Sequence, residues 1–128
     1  MYAVVCGAIL GIERRLKHKH VGLKTMIMIS VGSSLFIDCV SLITNNTDSI
    51  SRIIAQIITG IGFLGAGVII KDANDKISGL TTAALVWVSS ALGVLCGTGH
   101  GLDAVEVTLL ITTLVVGITF IENKLFPK

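Results

Sequence analysis

Four mainly apolar runs, each long enough to cross a bilayer, leave this chain of 128 residues little freedom in how it folds. They are Thr25–Ile43, Ile53–Ile70, Leu80–Cys96 and Ala104–Ile121. A helix needs roughly 20 mainly apolar residues to span the hydrocarbon, with about 17–25 as the working range. A fifth run, Met1–Ile12, comes first. As a helix it rises only about 18 Å and cannot cross alone. Either the basic stretch behind it continues the helix, or the recorded start lies downstream of the true one. A secretory signal peptide fits poorly, because the basic residues follow the apolar run instead of preceding it.

Composition agrees with hydrocarbon as the solvent. Charged residues make up 14% of the chain, against about 25% in an average soluble protein. The mean hydropathy is +0.88. A water-soluble domain of this size needs more polar surface to cover its core. Disorder, a disulfide-stapled secreted domain and nucleic-acid binding are excluded, the last by a net charge of only +2. The expected fold is an all-α integral membrane protein: a compact bundle of five transmembrane helices, the first one short, in a single domain over residues 1–128. The loops give its orientation. Arg14, Arg15, Lys17, Lys19 and Lys24 follow the first run, Lys71 and Lys76 follow the third, and Lys124 and Lys128 close the chain. The alternate loops hold Arg52 alone. Basic loops stay cytoplasmic, which places the N-terminus outside and the C-terminus in the cytoplasm.

The connectors carry helix punctuation. Asp103-Ala-Val-Glu106 has capping-box spacing, Ser78-Gly79 precedes the fourth run, and Asn45-Asn46 ends the second. Pro127 lies outside every span. Thr81, Thr82, Ser89 and Ser90 are tolerable in a packed helix by bonding back to its own carbonyls. Gly60-Ile-Gly62-Phe-Leu-Gly65 matches the dinucleotide fingerprint letter for letter. That fingerprint needs a strand before it and an acid about 20 residues on, and neither is present. Helix packing explains the glycines better. Gly60 and Gly67 fall within about 20° of each other with Gln56 alongside, while Gly62, Gly65 and Ala66 lie opposite. Two thinned faces predict that Ile53–Ile70 is the central helix, packed on both sides. Gly93-x-x-x-Gly97 offers another surface for close approach. A broken helix with freed carbonyls that bind a cation is the other reading. A chain with thinned faces is also suited to pairing with a second copy.

Ionisable groups within a span default to functional hypotheses. Asp38 lies about 8 Å below the outer end of its run. It is placed either to form a cation or proton site with Gln56 and Thr59, or to pair with Arg52 at the rim. Glu13, Arg14, Lys24 and Arg52 mark span ends. All four can snorkel to the headgroups, and Glu13, Arg14 and Lys24 are alternatively placed for a salt-bridge cluster at the cytoplasmic mouth. Glu106 reads as a capping residue. Cys6, Cys39 and Cys96 read as buried hydrophobes, with a Cys39–Cys96 bridge the lesser alternative. His18, His20 and His100 are too sparse for a metal site, Trp87 reads as a packing residue, and no catalytic constellation or cofactor is expected.

Several motifs occur in order at consistent spacing. Ser51–Ile69 reads SRIIAQIITGIGFLGAGVI, Gly11-Ile-Glu13-Arg14 ends the first run, and Gly22-Leu-Lys24-Thr25 opens the second. Gly79-Leu-Thr81-Thr82-Ala83-Ala84 is followed by Trp87. Together these resemble the MgtC/SapB family of bacterial membrane proteins, with lysine at position 24 where that family has arginine. The family's D-P-x-R appears here as Asp48-Ser-Ile-Ser-Arg52, without the proline and with one extra residue. Many relatives carry a soluble domain after the fifth span, whereas Glu122–Lys128 is all that follows here. The resemblance implies a non-enzymatic, multi-pass protein of the bacterial inner membrane. It implies links to growth at low magnesium and, in pathogens, to survival inside host cells, through regulation of another membrane complex such as the ATP synthase. Transport of Mg²⁺ or protons is the alternative, for which one Asp38 is thin provision, since Mg²⁺ keeps octahedral oxygen ligands.

Overall fold

The computed structural model describes residues 1–44, 46–71 and 77–125; expectations that rest on Asn45, Lys76, Pro127 and Lys128 lie outside the described residues. The element order is α1 (Tyr2–Leu16), α2 (Leu23–Ile43), α3 (Thr47–Val68), β1 (Ile70–Lys71), β2 (Ile77–Ser78), α4 (Leu80–Gly97) and α5 (Gly101–Leu125). Helices α2 to α5 are long and apolar enough to cross a membrane. The short first helix does continue into the basic stretch, through Glu13, Arg14 and Arg15 to Leu16.

Two helix starts differ from the sequence expectation. Asn46 opens α3 instead of closing α2: its side-chain oxygen accepts from the Asp48 backbone N–H at 2.9 Å, an N-cap bond. The helix therefore begins six residues before the apolar run, because a cap acts on backbone donors regardless of hydropathy. Asp103 is not a cap, since α5 already begins at Gly101 and Asp103 sits in its first turn. Between α3 and α4 the chain makes a two-residue antiparallel ladder, Ile70 against Ser78 and Lys71 against Ile77. Gly79, with φ +89°, turns it into α4 at a point where any Cβ would run into the Val68 carbonyl. Only glycine fits there.

The glycine-rich helix is not the centre of the bundle. That place belongs to α4, which packs against each of the other four helices and buries seven residues from Thr82 to Gly93. By contrast α3 rests on α4 and, less closely, on α2, and buries only Ile61 and Gly65. A Cβ on Gly60, Gly62 or Gly67 would meet nothing within 4 Å, and one on Gly65 would make only ordinary contact with the Ala83 carbonyl at 3.9 Å. Ala66 is exposed as well. The inward ridge of α3 is Ile57, Ile61, Gly65 and Val68, so most of its small residues face away.

Close approach happens elsewhere. Gly93 lies against the Ser30 carbonyl and Ser33, and Gly97 against Ser34 and Ile37, where its Cβ would come within 2.7 Å of the isoleucine Cβ. Gly7 and Gly11 press α1 onto α2, with the Cα atoms of Ile27 and Leu23 each 2.6 Å from where a Cβ would be. Gly101 receives the Tyr2 ring. The core of Cys6, Leu10, Met26, Leu85, Val86, Leu92 and Ala104 therefore forms among α1, α2, α4 and the start of α5, with Ile61 added to it from α3. Outside it, Leu42 is 87% exposed, Phe63 83% and Phe120 70%, an apolar surface suited to hydrocarbon and not to water.

A larger side chain at a tight crossing overpacks it and costs about 1–3 kcal/mol or more. Gly93→Leu and Gly11→Leu are expected to lower the thermal unfolding temperature in detergent markedly, while Gly60→Leu leaves it within a degree or two. Equal losses at all three positions would contradict this packing order.

Candidate functional site

Polar groups inside this bundle gather in two places. The first is the end of α1. Glu13 is 9% exposed and Arg14 2%, and the Arg14 Nε and Nη2 both donate to the Glu13 carboxylate. Lys17, one turn on, approaches the same carboxylate at 2.8 Å. Its ammonium also donates to Thr119 Oγ1 at 3.1 Å, which ties the end of α1 to α5. Of the residues expected at this mouth, Glu13 and Arg14 come together and Lys24 does not; Lys24 is exposed at the start of α2. Lys17 takes the place expected for it. The i, i+4 spacing of Glu13 and Lys17 was visible in the sequence, whereas the partner on α5 was not. Two cations around one carboxylate leave the cluster with net positive charge, which disfavours a divalent metal there.

The second place is the seam between α2 and α4. Ser33 and Ser90 share a hydrogen bond of 2.8 Å, and Ser89 Oγ donates to the Met26 carbonyl at 2.9 Å. Both serines of α4 thus bond across to α2 instead of back to their own helix. Back-bonding occurs on α5, where Thr108, Thr112, Thr113 and Thr119 all donate to carbonyls four residues earlier. Ser30 is fully buried and its hydroxyl has no partner among the described residues. Thr82 is buried at the start of α4 and Thr81 is exposed beside it.

The remaining candidates stand apart. Asp38 is exposed, and its one bond is a long 3.5 Å contact from Ser34. It forms no ion pair with Arg52 among the described residues, and Thr59 bonds back to the Ala55 carbonyl. Among the described residues no bond joins Asp38, Gln56 and Thr59, the groups expected to share a cation site. Asp48 and Arg52 are both exposed on α3. All three cysteines are free: Cys39 points outward and Cys96 neighbours the buried Cys6, so the Cys39–Cys96 bridge does not form. Trp87, 46% exposed, lines a shallow recess between α4 and Ile54, Ile57, Ile58 and Ile61 of α3. Gln56 lines a groove of about 630 Å³ between α2 and α3, whose floor includes Ser33 and Ser90.

Removing one member of a buried ion pair strands the other charge, at about 3–5 kcal/mol. Glu13→Gln should destabilise the protein in thermal unfolding far more than Lys24→Gln, and Glu13→Gln with Arg14→Gln should recover part of the loss. Equal, small effects of Glu13→Gln and Lys24→Gln would show that Arg14 is not held by its neighbour.

The pattern of the MgtC family matches residues 1–124. The chain is 45% identical to an uncharacterized protein of Haemophilus influenzae, covering 87% of this chain and 50% of that one. It is 43% identical to "Protein MgtC" of Salmonella typhimurium, over 85% of this chain and 46% of the relative. For "Protein MgtC" of Brucella abortus the identity is 42%, over 85% and 45%. The chain thus spans about half the length of these curated relatives, and no solved structure matches it. By motif order, by span pattern and by similarity across nearly its whole length, the chain belongs to the MgtC family.

Proposed function

We propose that this protein is a non-enzymatic regulator in the bacterial inner membrane, with the N-terminus outside and the C-terminus cytoplasmic. It acts by contact with another membrane complex, for which the ATP synthase is the candidate, during growth at low magnesium and, in pathogens, inside host cells. Family membership supplies the class. The observation that carries the choice of regulator over transporter is the state of the interior polar groups. Ser33, Ser89 and Ser90 are neutral and bonded across the α2–α4 seam, and Glu13, the one buried carboxylate among the described residues, is held between two cations. Asp38 faces outward. A Mg²⁺ path needs several oxygen ligands converging on the ion. Of the seam's hydroxyls, those of Ser33, Ser89 and Ser90 are already in use, and the one left over, Ser30, cannot supply such a set alone.

Purified protein in liposomes loaded with a magnesium-sensitive dye is expected to give no flux above empty vesicles. From membranes of cells grown at low magnesium, the tagged protein is expected to bring down an ATP synthase subunit. Magnesium-dependent flux abolished by Asp38→Asn would overturn the proposal in favour of transport.

A further inference from the structure

The groove between α2 and α3 opens sideways from the bundle. Its walls run from Thr25 to Phe36 on α2 and from Leu64 to Ile53 on α3. Each wall is a stretch of twelve residues whose ends lie about 16 Å apart along the helix, close to the roughly 15 Å of hydrocarbon in one leaflet. Gly32 and Gly60 keep it open, since a Cβ at either would meet nothing within 4 Å. Apart from Gln56, Thr25 and the Ser33–Ser90 floor, the lining is aliphatic and aromatic, as at Met28, Phe36 and Ile57.

The groove has a charged approach at one end. Asp48, Arg52, Gln56 and Gly60 recur every four residues on α3, so they form one ridge from the helix start down into the groove. Asp48, Arg52 and Gln56 are exposed, and their side chains have no partner among the described residues. The order along the ridge is carboxylate, guanidinium, amide, open glycine. An unpaired amide facing hydrocarbon is costly. A chemical group that meets this series must be cationic at its tip, anionic next, carry a hydrogen-bond acceptor below, and end in an apolar chain.

We propose that the groove holds one acyl chain of a phospholipid with a primary ammonium headgroup, of the phosphatidylethanolamine type. Its ammonium lies on Asp48, its phosphate on Arg52, and an ester carbonyl accepts from the Gln56 amide. Each four-residue step is about 6 Å, the scale on which ammonium, phosphate and ester succeed one another along a glycerophospholipid. Arginine suits the phosphate because its planar fork donates two parallel bonds. Asp48 adds discrimination: it attracts an ammonium and repels the anionic phosphatidylglycerol headgroup. A second copy of the chain would cover the groove without using this charge order.

Native mass spectrometry of the whole chain in detergent, titrated with phosphatidylethanolamine, phosphatidylglycerol and phosphatidylcholine of identical acyl chains, tests the assignment. One phosphatidylethanolamine per chain should be retained, several-fold more tightly than phosphatidylglycerol. Asp48→Asn should erase that preference. Arg52→Gln should weaken retention of either lipid about tenfold, the loss expected for a charge-assisted hydrogen bond. Gly60→Leu, and Gly32→Leu from the opposite wall, should remove retention while helicity by circular dichroism is unchanged; either variant alone suffices if the other fails to fold. Equal retention of the three lipids, or indifference to Asp48→Asn and Arg52→Gln, overturns the proposal. So does efficient disulfide dimerisation of Gly60→Cys in membranes in a Cys39→Ser background, because a second copy would then fill the groove.

Discussion

Everything else in this bundle is arranged around the approach of two backbones, α2 and α4. In hydrocarbon, helices gain nothing from hiding apolar surface from one another, because lipid tails are equally apolar. What remains is dispersion at short range and hydrogen bonding across the contact. Gly93 and Gly97 supply the first by letting α4 lie directly against Ser30, Ser34 and Ile37. Ser89 and Ser90 supply the second by bonding to Met26 and Ser33. The two depend on each other: serine side chains are short, and they reach across only because the glycines have removed the spacing that a Cβ would impose. The same device recurs where Gly7 and Gly11 set α1 on α2, and where Gly101 takes the Tyr2 ring.

Seating α1 this closely brings a charged end with it. Helix α1 runs past its apolar stretch to Leu16, so Glu13 and Arg14 are carried into the bundle and not left at its edge. Burying either charge alone would be prohibitive, and the pair is tolerable only because it is closed on itself and shared with Lys17. Such a cluster adds little net stability. It does fix register, because Lys17 also reaches Thr119 and thereby sets how far α1 slides along α5. Below that point α5 has little else to hold it, since its buried residues, Gly101, Ala104 and Thr108, all lie near its start.

The spans and their order were legible in the sequence because hydropathy reports solvent, and solvent decides which segments are helices here. The arrangement was less legible, for a reason that Gly60 and Gly93 show together. A glycine on an apolar helix says that a face is thin. It does not say whether another backbone lies opposite, and that depends on the partner's own small residues. Helix α2 offers Ser30, Ser33 and Ser34 to α4, and nothing comparable stands opposite Gly60, Gly62 or Gly67. Ser89 and Ser90 were ambiguous in the same way, because bonding back to a carbonyl of their own helix and bonding across use the same hydroxyl. Asn46 could be assigned to either neighbouring helix until the Asp48 amide was seen to point at it. The short ladder at Ile70–Lys71 and Ile77–Ser78 has too few residues to show any alternation at all.

The looseness of α3 then has a physical consequence. With only Ile61 and Gly65 buried, it is, like the far half of α5, weakly anchored in the described fold. Segments with few buried contacts open at lower free energy than the core. Its outer ridge presents Asp48, Arg52 and Gln56 without side-chain partners among the described residues, and the motif string Ser51–Ile69 begins and runs along this same helix. Three of its glycines make no contact that a Cβ would disturb. Their bareness therefore shapes the surface the protein shows to its surroundings, while the bundle itself is closed by the glycines of α1 and α4. The helix that carries the recognisable signature and the helix that holds the fold together are different elements, so a change on α3 can alter what the protein meets in the membrane with little effect on whether it folds.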